Sequence, residues 1–549
     1  MDSLFTRFKG SEAFDVDMLD TLLCSAVQGV AETVLGVYKP EDARKKPDQS
    51  AQTLATLLDL PSSIQLVKRA QRTSTTDLKM VSATSTSTPM AECIDHYSTI
   101  FNPSDHLPNL QGRRPNHRPD SSSHSLNTPL SSILPNIPPC PIFDEATVLA
   151  SGLLDTVTTD KIKFQLGRMS STSSSGSDGI TVIMLCHLLA TTFPQHLCQL
   201  YHACLRSGQT LAQWNEALVY PFCKDRKKPY TATNSRPISL LCLFRKLFES
   251  LILPVISASG HMAYSGIQAG FRSGYSTLTN LLTLHYLIEA DAARRIVFLD
   301  FASTFDRVSW PYLQQELKEQ GINPLVLQLL YQLIYWDMLY SLVVNRCESP
   351  KQPPTCGLLP GSPLSPILFN RFINSLLLSL NWNSQLTFPS ALFFADDGVL
   401  IAPTITKAQS LLNQASSWAD LHGMAFNIPK CGYMVTSQPI RTYLPYTLTL
   451  NNHPIPHVTS YKYLAVMFQR KGLDFLEQAN VLSQRVTSCL AAMRCYSDTW
   501  APRIRLNIFK SILLPILEYS LPLLYANYKR NRKTQEWITL TNAYNNCLI

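Results

Sequence analysis

The sequence predicts an α+β fold from Phe143 onward, and three observations point there. Short apolar strand candidates alternate with helix-length stretches of helical periodicity. Two of the apolar strands end on aspartates. The region before Phe143 contains long Ser-, Thr- and Pro-rich stretches without apolar periodicity.

Helical periodicity is expected over 187–205, 240–256, 278–290, 311–320, 324–336, 366–380 and 406–422. Strands are expected at Ile296–Leu299, Tyr340–Asn345, Ala391–Ala395 and Val399–Ala402. Mixed elements of this kind without a fixed repeat indicate α+β packing. Residues 73–89 and 103–141 read as linkers, so that the first 70 or so residues stand apart.

Composition narrows the function classes. The chain has 549 residues, 45% hydrophobic and 16% charged, as in a globular protein of more than one domain. The longest apolar candidate, Leu240 to Ile256, is broken by Arg245, Lys246 and Glu249 and falls short of the ~20 residues a membrane span needs. The start, MDSLFTRFKGSEAFD, lacks the basic and apolar regions of a secretory signal, so an intracellular protein of nucleus or cytoplasm is expected. The 14 cysteines show no C-x-x-C pair and no zinc-ligand spacing, and are expected to be reduced and buried. Residues 1–145 hold 13 Lys+Arg and 17 Asp+Glu, net −4; the remaining 34 and 22 give net +12 for 146–549. The later part is thus suited to a polyanionic partner.

Two segments carry chemistry. In RRIVFLDFASTFDRV an apolar strand leads into Asp300, which it can hold rigidly in a cleft. In ALFFADDGVLIA, Asp396 and Asp397 stand between two apolar runs, a pattern expected to be a β-hairpin with two acids at its tip. Adjacent carboxylates repel unless a cation neutralises them, so such a tip asks for a metal ion. An isolated Asp-Asp is far more often an ordinary polar turn. The surrounding motifs change that reading.

An ordered series of blocks from about 165 to 525 resembles the reverse transcriptases of LINE-type (non-LTR) retrotransposons. It runs GSDGITVIMLCHL (176–188), NSRPISLLCLFRKLFESLI (234–252), QAGFRSGYST (268–277), the Asp300 block at 299–308, GLLPGSPLSPILFN (357–370), FADD (394–397), FNIPKCGYM (426–434), VTSYKYLAV (458–466) and ILLPILEYSLPLL (512–524). Any one block could arise by chance; nine in order are specific.

The resemblance implies a right-hand polymerase of fingers, palm and thumb, whose palm sheet carries the Asp-Asp hairpin and which follows a poorly ordered N-terminal region. The boundaries expected are an unassigned segment at 1–72, a Ser/Thr/Pro-rich linker at 73–142, an N-terminal extension at 143–204, the reverse transcriptase domain at 205–470 and a truncated helical thumb at 471–549. The activity implied is RNA-directed DNA polymerisation, with template RNA, primer DNA and dNTPs as partners and no membrane. Asp300, Asp396 and Asp397 would converge on one site holding two Mg²⁺ ions, with Mn²⁺ as an alternative and the Phe301 carbonyl as a further ligand. Phe305 would exclude a ribose 2′-hydroxyl. Arg272, Lys224 and Arg236 would meet triphosphate and template, and Lys430 would approach the triphosphate from the palm's edge. The run Lys224, Arg226, Lys227, Lys228 would add salt-sensitive affinity. Gly361 would let backbone approach the nascent base pair, and Tyr461, Lys462 and Tyr463 would grip the primer.

Several positions depart from the family pattern. Pro360 replaces a Gln, losing an amide side chain and a backbone donor, and is expected to weaken polymerisation. Ser303 and Thr304 replace Lys-Ala, a change expected to be tolerated. Ala465 replaces a Gly, which matters only if the backbone there needs positive φ. Nothing before 145 resembles the family's endonuclease and nothing after 525 supplies a zinc knuckle, so a fragment or decayed copy is expected. The alternative function is a catalytically impaired, nucleic-acid-binding relic of such an element. A viral RNA-dependent RNA polymerase is disfavoured by Phe305 and by FADD in place of GDD.

Overall fold

The computed structural model describes residue 80, 88–102, 148–149, 151–519 apart from seven short gaps, 522 and 535–548. The gaps are 226, 259–263, 291–294, 335–337, 381–387, 437–446 and 498–500. The proposed N-terminal segment at 1–72 and the linker at 103–141 lie outside these residues.

In chain order the helices are α1 (Pro89–Phe101), α2 (Thr159–Arg168), α3 (Val182–His187), α4 (Phe193–Ser207), α5 (Leu243–Ala258), α6 (Thr277–Glu289), α7 (Trp310–Glu319), α8 (Pro324–Ile334), α9 (Ser365–Leu380), α10 (Ile405–His422), α11 (Phe475–Ser497), α12 (Pro502–Ile508) and α13 (Gln535–Leu548). The strands are β1 (Glu216–Cys223), β2 (Ser235–Leu241), β3 (Arg295–Leu299), β4 (Leu339–Val344), β5 (Cys347–Glu348), β6 (Ala391–Phe394), β7 (Asp397–Ala402), β8 (Gly432–Val435), β9 (Thr449–Leu450), β10 (His453–Pro454), β11 (Ser460–Tyr463), β12 (Val466–Gln469) and β13 (Gly472–Leu473).

The central sheet has the order β6-β7-β3-β8, antiparallel throughout. Its strands are apolar at nearly every position because both faces are covered. Val297, Leu299, Phe393 and Leu400 face the main core with α7, α9 and α10, while Ile296, Phe298, Leu392, Val399 and Ile401 face a second core shared with α6 and the β11–β13 hairpins. Alternation along each strand assigns neighbours to opposite faces. A one-residue slip would exchange the two sets, so packing on both sides fixes the register. Phe298 is fully buried and stacks on Tyr461 at 4.0 Å and 6°.

A second sheet, β2-β1-β4-β5, stands beside the first, with β1 and β4 parallel. Against it packs α1, an element the sequence reading did not expect. Part of the span assigned to linker at 73–142 is therefore helix: Thr88 caps it by accepting from the Ala91 N–H at 3.2 Å, and Pro89 fills its first position. Cys93, Tyr97 and Phe101 enter a core with Val219, Leu241 and Tyr340, and the Phe101 carbonyl accepts from Thr355 N–H at 2.9 Å. Composition gave no sign of that burial. The expected helix at 187–205 begins only at Phe193, as α4 with Pro194 in its first turn, after α3 ends at His187 and a turn covers 188–192. The 240–256 stretch begins as the end of β2 and becomes helical only from Leu243. C-terminally, α11 packs on α13 through Ala479, Leu482, Val486, Leu540 and Ala543.

The β11–β12 hairpin closes through Leu464 and Ala465, with Tyr463 opposite Val466. Both loop residues are left-handed, at φ 45° and 65°. That is the backbone a two-residue hairpin loop demands and one that L-residues with a Cβ adopt at a cost. The position of the expected glycine thus needs positive φ. Ala465→Gly should stabilise the protein by about 1 kcal/mol in urea denaturation. A neutral or destabilising change would mean the turn carries no strain.

Candidate active site

The register of the central sheet assembles the acids. Leu299 pairs with Gly398, so Asp300, one residue past the end of β3, comes beside Asp397 at the start of β7. Phe394 pairs with Asp397 across the β6–β7 connection, which leaves Ala395 and Asp396 as its loop. All three aspartates therefore sit at one end of the sheet. Burial, then the Asp396 and Asp300 carboxylates, push the Asp397 carboxyl up to about 6, with Lys430 pulling it down. Asp397 is open to solvent on one side and crowded by protein on the other.

The backbone beyond β3 is pinned. The Asp300 carbonyl accepts from Asn427 N–H at 2.8 Å, and Ala302 N–H donates to the Ala425 carbonyl at 2.8 Å. Phe301 lies between these two bonds, bridged to Phe426 and stacked on it at 4.4 Å. In such a pair the middle residue's N–H and C=O face away from the partner strand, which turns the Phe301 carbonyl toward the side of Asp397.

Cations meet these acids. Lys430 Nζ lies 3.3 Å from Asp300 Oδ2. Burial, then the charges of Arg236 and Lys430, pull the Lys224 ammonium below its usual range, so these three cations share one electrostatic neighbourhood with Asp306. Lys224 directly follows β1 and Arg236 stands near the start of β2, brought together by the pairs Cys223 to Ser235 and Phe222 to Arg236. Arg226 of the basic run lies outside the described residues.

Other sites named from sequence are placed differently. Arg272 turns back on its own loop, donating to the Ser265 and Gln268 carbonyls at 3.0 and 2.8 Å and lying 4.3 Å over the Tyr275 ring. Tyr463 is buried and accepts from Asn280 Nδ2 at 3.2 Å, while Tyr461 stacks on Phe298 and donates to the Lys430 carbonyl at 2.8 Å. Of Tyr461, Lys462 and Tyr463, Lys462 alone is exposed. Phe305 is half-buried between Phe369, stacked at 5.0 Å, and the exposed Phe271, edge-on at 6.2 Å.

Gly361 has φ +116°, and a Cβ there would come within 2.6 Å of the Ser239 carbonyl oxygen. Close packing on β2 is thus one reason for glycine. Pro360 fits the same turn. Ser362 N–H donates to the Leu359 carbonyl at 3.2 Å, making Pro360 and Gly361 its central residues, a pairing that a type II turn favours. The Pro360 carbonyl accepts from Ser239 N–H at 3.0 Å. The expected backbone penalty of Pro360 is therefore not seen; the lost side-chain amide remains.

Residues that sequence reasoning passed over hold this site in place. Thr304, read as a tolerated change, donates to Asp396 Oδ2 at 2.8 Å, which an alanine could not do. Arg245 and Glu249, fully buried, pair at 2.6 Å; Arg245 also donates to the Trp214 and Leu333 carbonyls, and Glu249 accepts from Ser362 in the Pro360 turn. The K-x-F-E block contained that signal, since a charge inside an apolar helix pattern needs a partner.

Among the described residues, no three or more His, Cys, Asp or Glu side chains close on a point as a metal cage. The aspartates share a site without forming a complete coordination shell.

Asp306 is half-buried with its Oδ1 enclosed and unpartnered, and burial pushes its carboxyl up to about 7 against Lys224 and Arg307. A folded value above the unfolded one means the folded state holds the proton more tightly, so stability is lost as pH rises from about 4 to about 7. Asp306→Asn, always neutral, should stabilise the protein more at about pH 8 than at about pH 5 in urea melts. Equal gains at both would place the Asp306 carboxyl in its ordinary range.

Residues 225–468 match the family described as reverse transcriptase (RNA-dependent DNA polymerase). The chain is 25% identical over 411 residues to a 115 kDa protein of the type-1 retrotransposable element R1DM of Drosophila melanogaster, covering 72% of this chain and 38% of that one. It is 27% identical over 398 residues to the RNA-directed DNA polymerase from mobile element jockey of the same species, covering 67% and 41%. It thus spans about two fifths of the length of these relatives. Among solved structures, apo telomerase from Candida tropicalis truncated from its C-terminal domain aligns with a TM-score of 0.34 and 12% identity, over 48% of this chain and 55% of that one. Residues 225–468 thus match the reverse transcriptase family, and the chain is similar to polymerases of LINE-type (non-LTR) retrotransposable elements.

Proposed function

We propose that this chain is the polymerase portion of such an element and copies RNA into DNA. The observation that supports the reading is the gathering of Asp300, Asp396 and Asp397 at one end of the central sheet, with Lys430 3.3 Å from Asp300 and the charges of Lys430 and Arg236 acting on Lys224 at the neighbouring sheet. Acids to hold divalent ions and cations to take a triphosphate are the two halves of a nucleotidyl-transfer site.

In this reading β1 and β2 belong to the fingers within 205–470, the central sheet is the palm, 143–204 is an N-terminal extension of the polymerase and the helices of 471–549 form a truncated thumb. Asp300, Asp396, Asp397 and the Phe301 carbonyl hold the ions. Two Mg²⁺ ions, or Mn²⁺, would supply positive charge beside the attacking 3′-hydroxyl and the leaving pyrophosphate. Lys224, Arg236 and Lys430 bind the phosphates of the incoming dNTP. Phe305, held between Phe271 and Phe369, presents its ring against the sugar, and Lys462 contacts primer phosphate from the hairpin that Tyr461 and Tyr463 anchor. Arg272 supports the site through its loop. The partners are template RNA and primer DNA. No described helix is long and apolar enough to cross a membrane.

Primer extension on an RNA template tests the reading. Purified protein should extend with dNTPs and Mg²⁺ and stop on chelation, and Asp396→Asn should cut extension by orders of magnitude while RNA affinity stays near wild type. Wild-type-like extension by that variant would remove Asp396 from the ligand set. Phe305→Val should raise rNTP use relative to dNTP use, and an unchanged ratio would leave Phe305 as packing only.

Pro360→Gln separates the enzyme from the relic. Losing proline from the Leu359–Ser362 turn should lower stability by about 0.5–1 kcal/mol. Regaining the amide should raise extension above that of the chain as written, with RNA binding little changed. No extension in either form would favour the relic.

A further inference from the structure

We propose that Gln268 is a positioning residue for the catalytic loop: its side-chain amide clamps the backbone of Ala395 and thereby aims Asp396. This rests on the reading of Asp396 as a metal ligand. Gln268 is fully buried. Its Oε1 accepts from Ala395 N–H at 2.9 Å, and its Nε2 donates to the Ala395 carbonyl at 3.1 Å. A side-chain amide meeting both polar groups of one residue imitates a neighbouring strand, in a loop too short to have one.

The clamp opposes strain. Ala395 has φ +57°, a left-handed backbone that costs an L-residue roughly 1–2 kcal/mol and relaxes when unsupported. Relaxation would swing Asp396, the next residue, away from Asp300. The support is itself anchored. Ala269 N–H donates to the Phe393 carbonyl and Phe393 N–H to the Ile267 carbonyl, both at 2.8 Å, laying 267–269 along β6. Gly270 N–H also donates to Gln268 Oε1 at 2.8 Å, and a Cβ at Gly270 would lie 2.2 Å from the Ala395 nitrogen. Asn370 of α9 holds the Gly270 carbonyl at 2.8 Å, and Arg272 caps the Gln268 carbonyl. The Gln-x-Gly-Phe-Arg block thereby gains a single mechanical purpose, in which glutamine clamps, glycine permits approach and arginine fixes the loop.

The test combines amide hydrogen exchange with kinetics, on Gln268→Ala and on Gln268→Met, which keeps most of the volume without the amide. Ala395 N–H has Gln268 as its partner, so both variants should lose about tenfold or more protection at Ala395 while β3, β8 and α6 keep theirs. Unchanged protection at Ala395, or equal loss across the sheet in both variants, would overturn the clamp. Extension should fall about 10²-fold in kcat, with KM for dNTP and RNA affinity near wild type. Local loss of protection without loss of kcat would overturn the positioning role. Ala395→Gly, which adopts positive φ without strain, should recover about tenfold of the rate in the double variant, and no recovery would overturn the strain argument. Should neither the wild type nor Pro360→Gln extend primers, the polymerase reading fails while the exchange result still decides the clamp.

Discussion

The pairing of Leu299 with Gly398 is the constraint on which the site depends. It brings Asp300 beside a residue 97 positions later, from the difference 397 − 300. Packing on both faces, rather than the hydrogen bonds themselves, holds that register. Ile296 and Phe298 cannot trade places with Val297 and Leu299 without emptying two cores at once. Truncating a buried Phe of this kind costs about 3–5 kcal/mol, a large share of a typical domain's stability. The carboxylates are thus held together, against their own repulsion, by apolar surface that has no part in the chemistry.

Strain gathers at the same end of the sheet. Phe271, Ser303 and Ala395 are non-glycine residues at positive φ, and each lies in a segment bordering the aspartates. Backbone of this sort persists where surrounding contacts over-determine it. Around Ala395 those contacts are Gln268 and the 267–270 segment; beside Ser303, the Thr304 hydroxyl reaches Asp396. Leu464 and Ala465 form a separate strained pair, braced where Tyr519 donates to the Leu464 carbonyl at 2.9 Å. That hydrogen bond also ties the C-terminal helices to the hairpin.

The buried Arg245–Glu249 pair serves a comparable purpose in the neighbouring sheet. A buried ion pair contributes little net stability but destabilises strongly when one partner is removed. Here it joins the Trp214 and Leu333 carbonyls to Ser362, so the turn carrying Pro360 and Gly361 is referenced to α5. Ser239 fixes the same turn through the Pro360 carbonyl. A proline at the second position of such a turn is favourable backbone chemistry, which explains why the loop keeps its shape without the amide that relatives of this kind are expected to carry.

The sequence by itself determined the strands and helices of the central region, the two acidic strand ends and the order of blocks that signals a polymerase. These were legible because doubly buried strands must be continuously apolar, as in RIVFL and VLIA, and because the carboxylate pair between such runs stands within nine ordered motif blocks. It did not reveal β1, β8 or the β11–β13 hairpins, whose short, mixed patterns become strands only through partners far along the chain. Nor did it reveal that α1, set among Ser, Thr and Pro, buries Tyr97 and Phe101. Residue type identified Arg272, Tyr461 and Tyr463 as candidates, yet a guanidinium or phenol serves substrate and scaffold equally well, and only the fold showed which protein groups each one meets. The tertiary structure alone decided what Gln268, Thr304 and Glu249 do, because each acts through a hydrogen bond to a residue about a hundred positions away, a relation that no local pattern records.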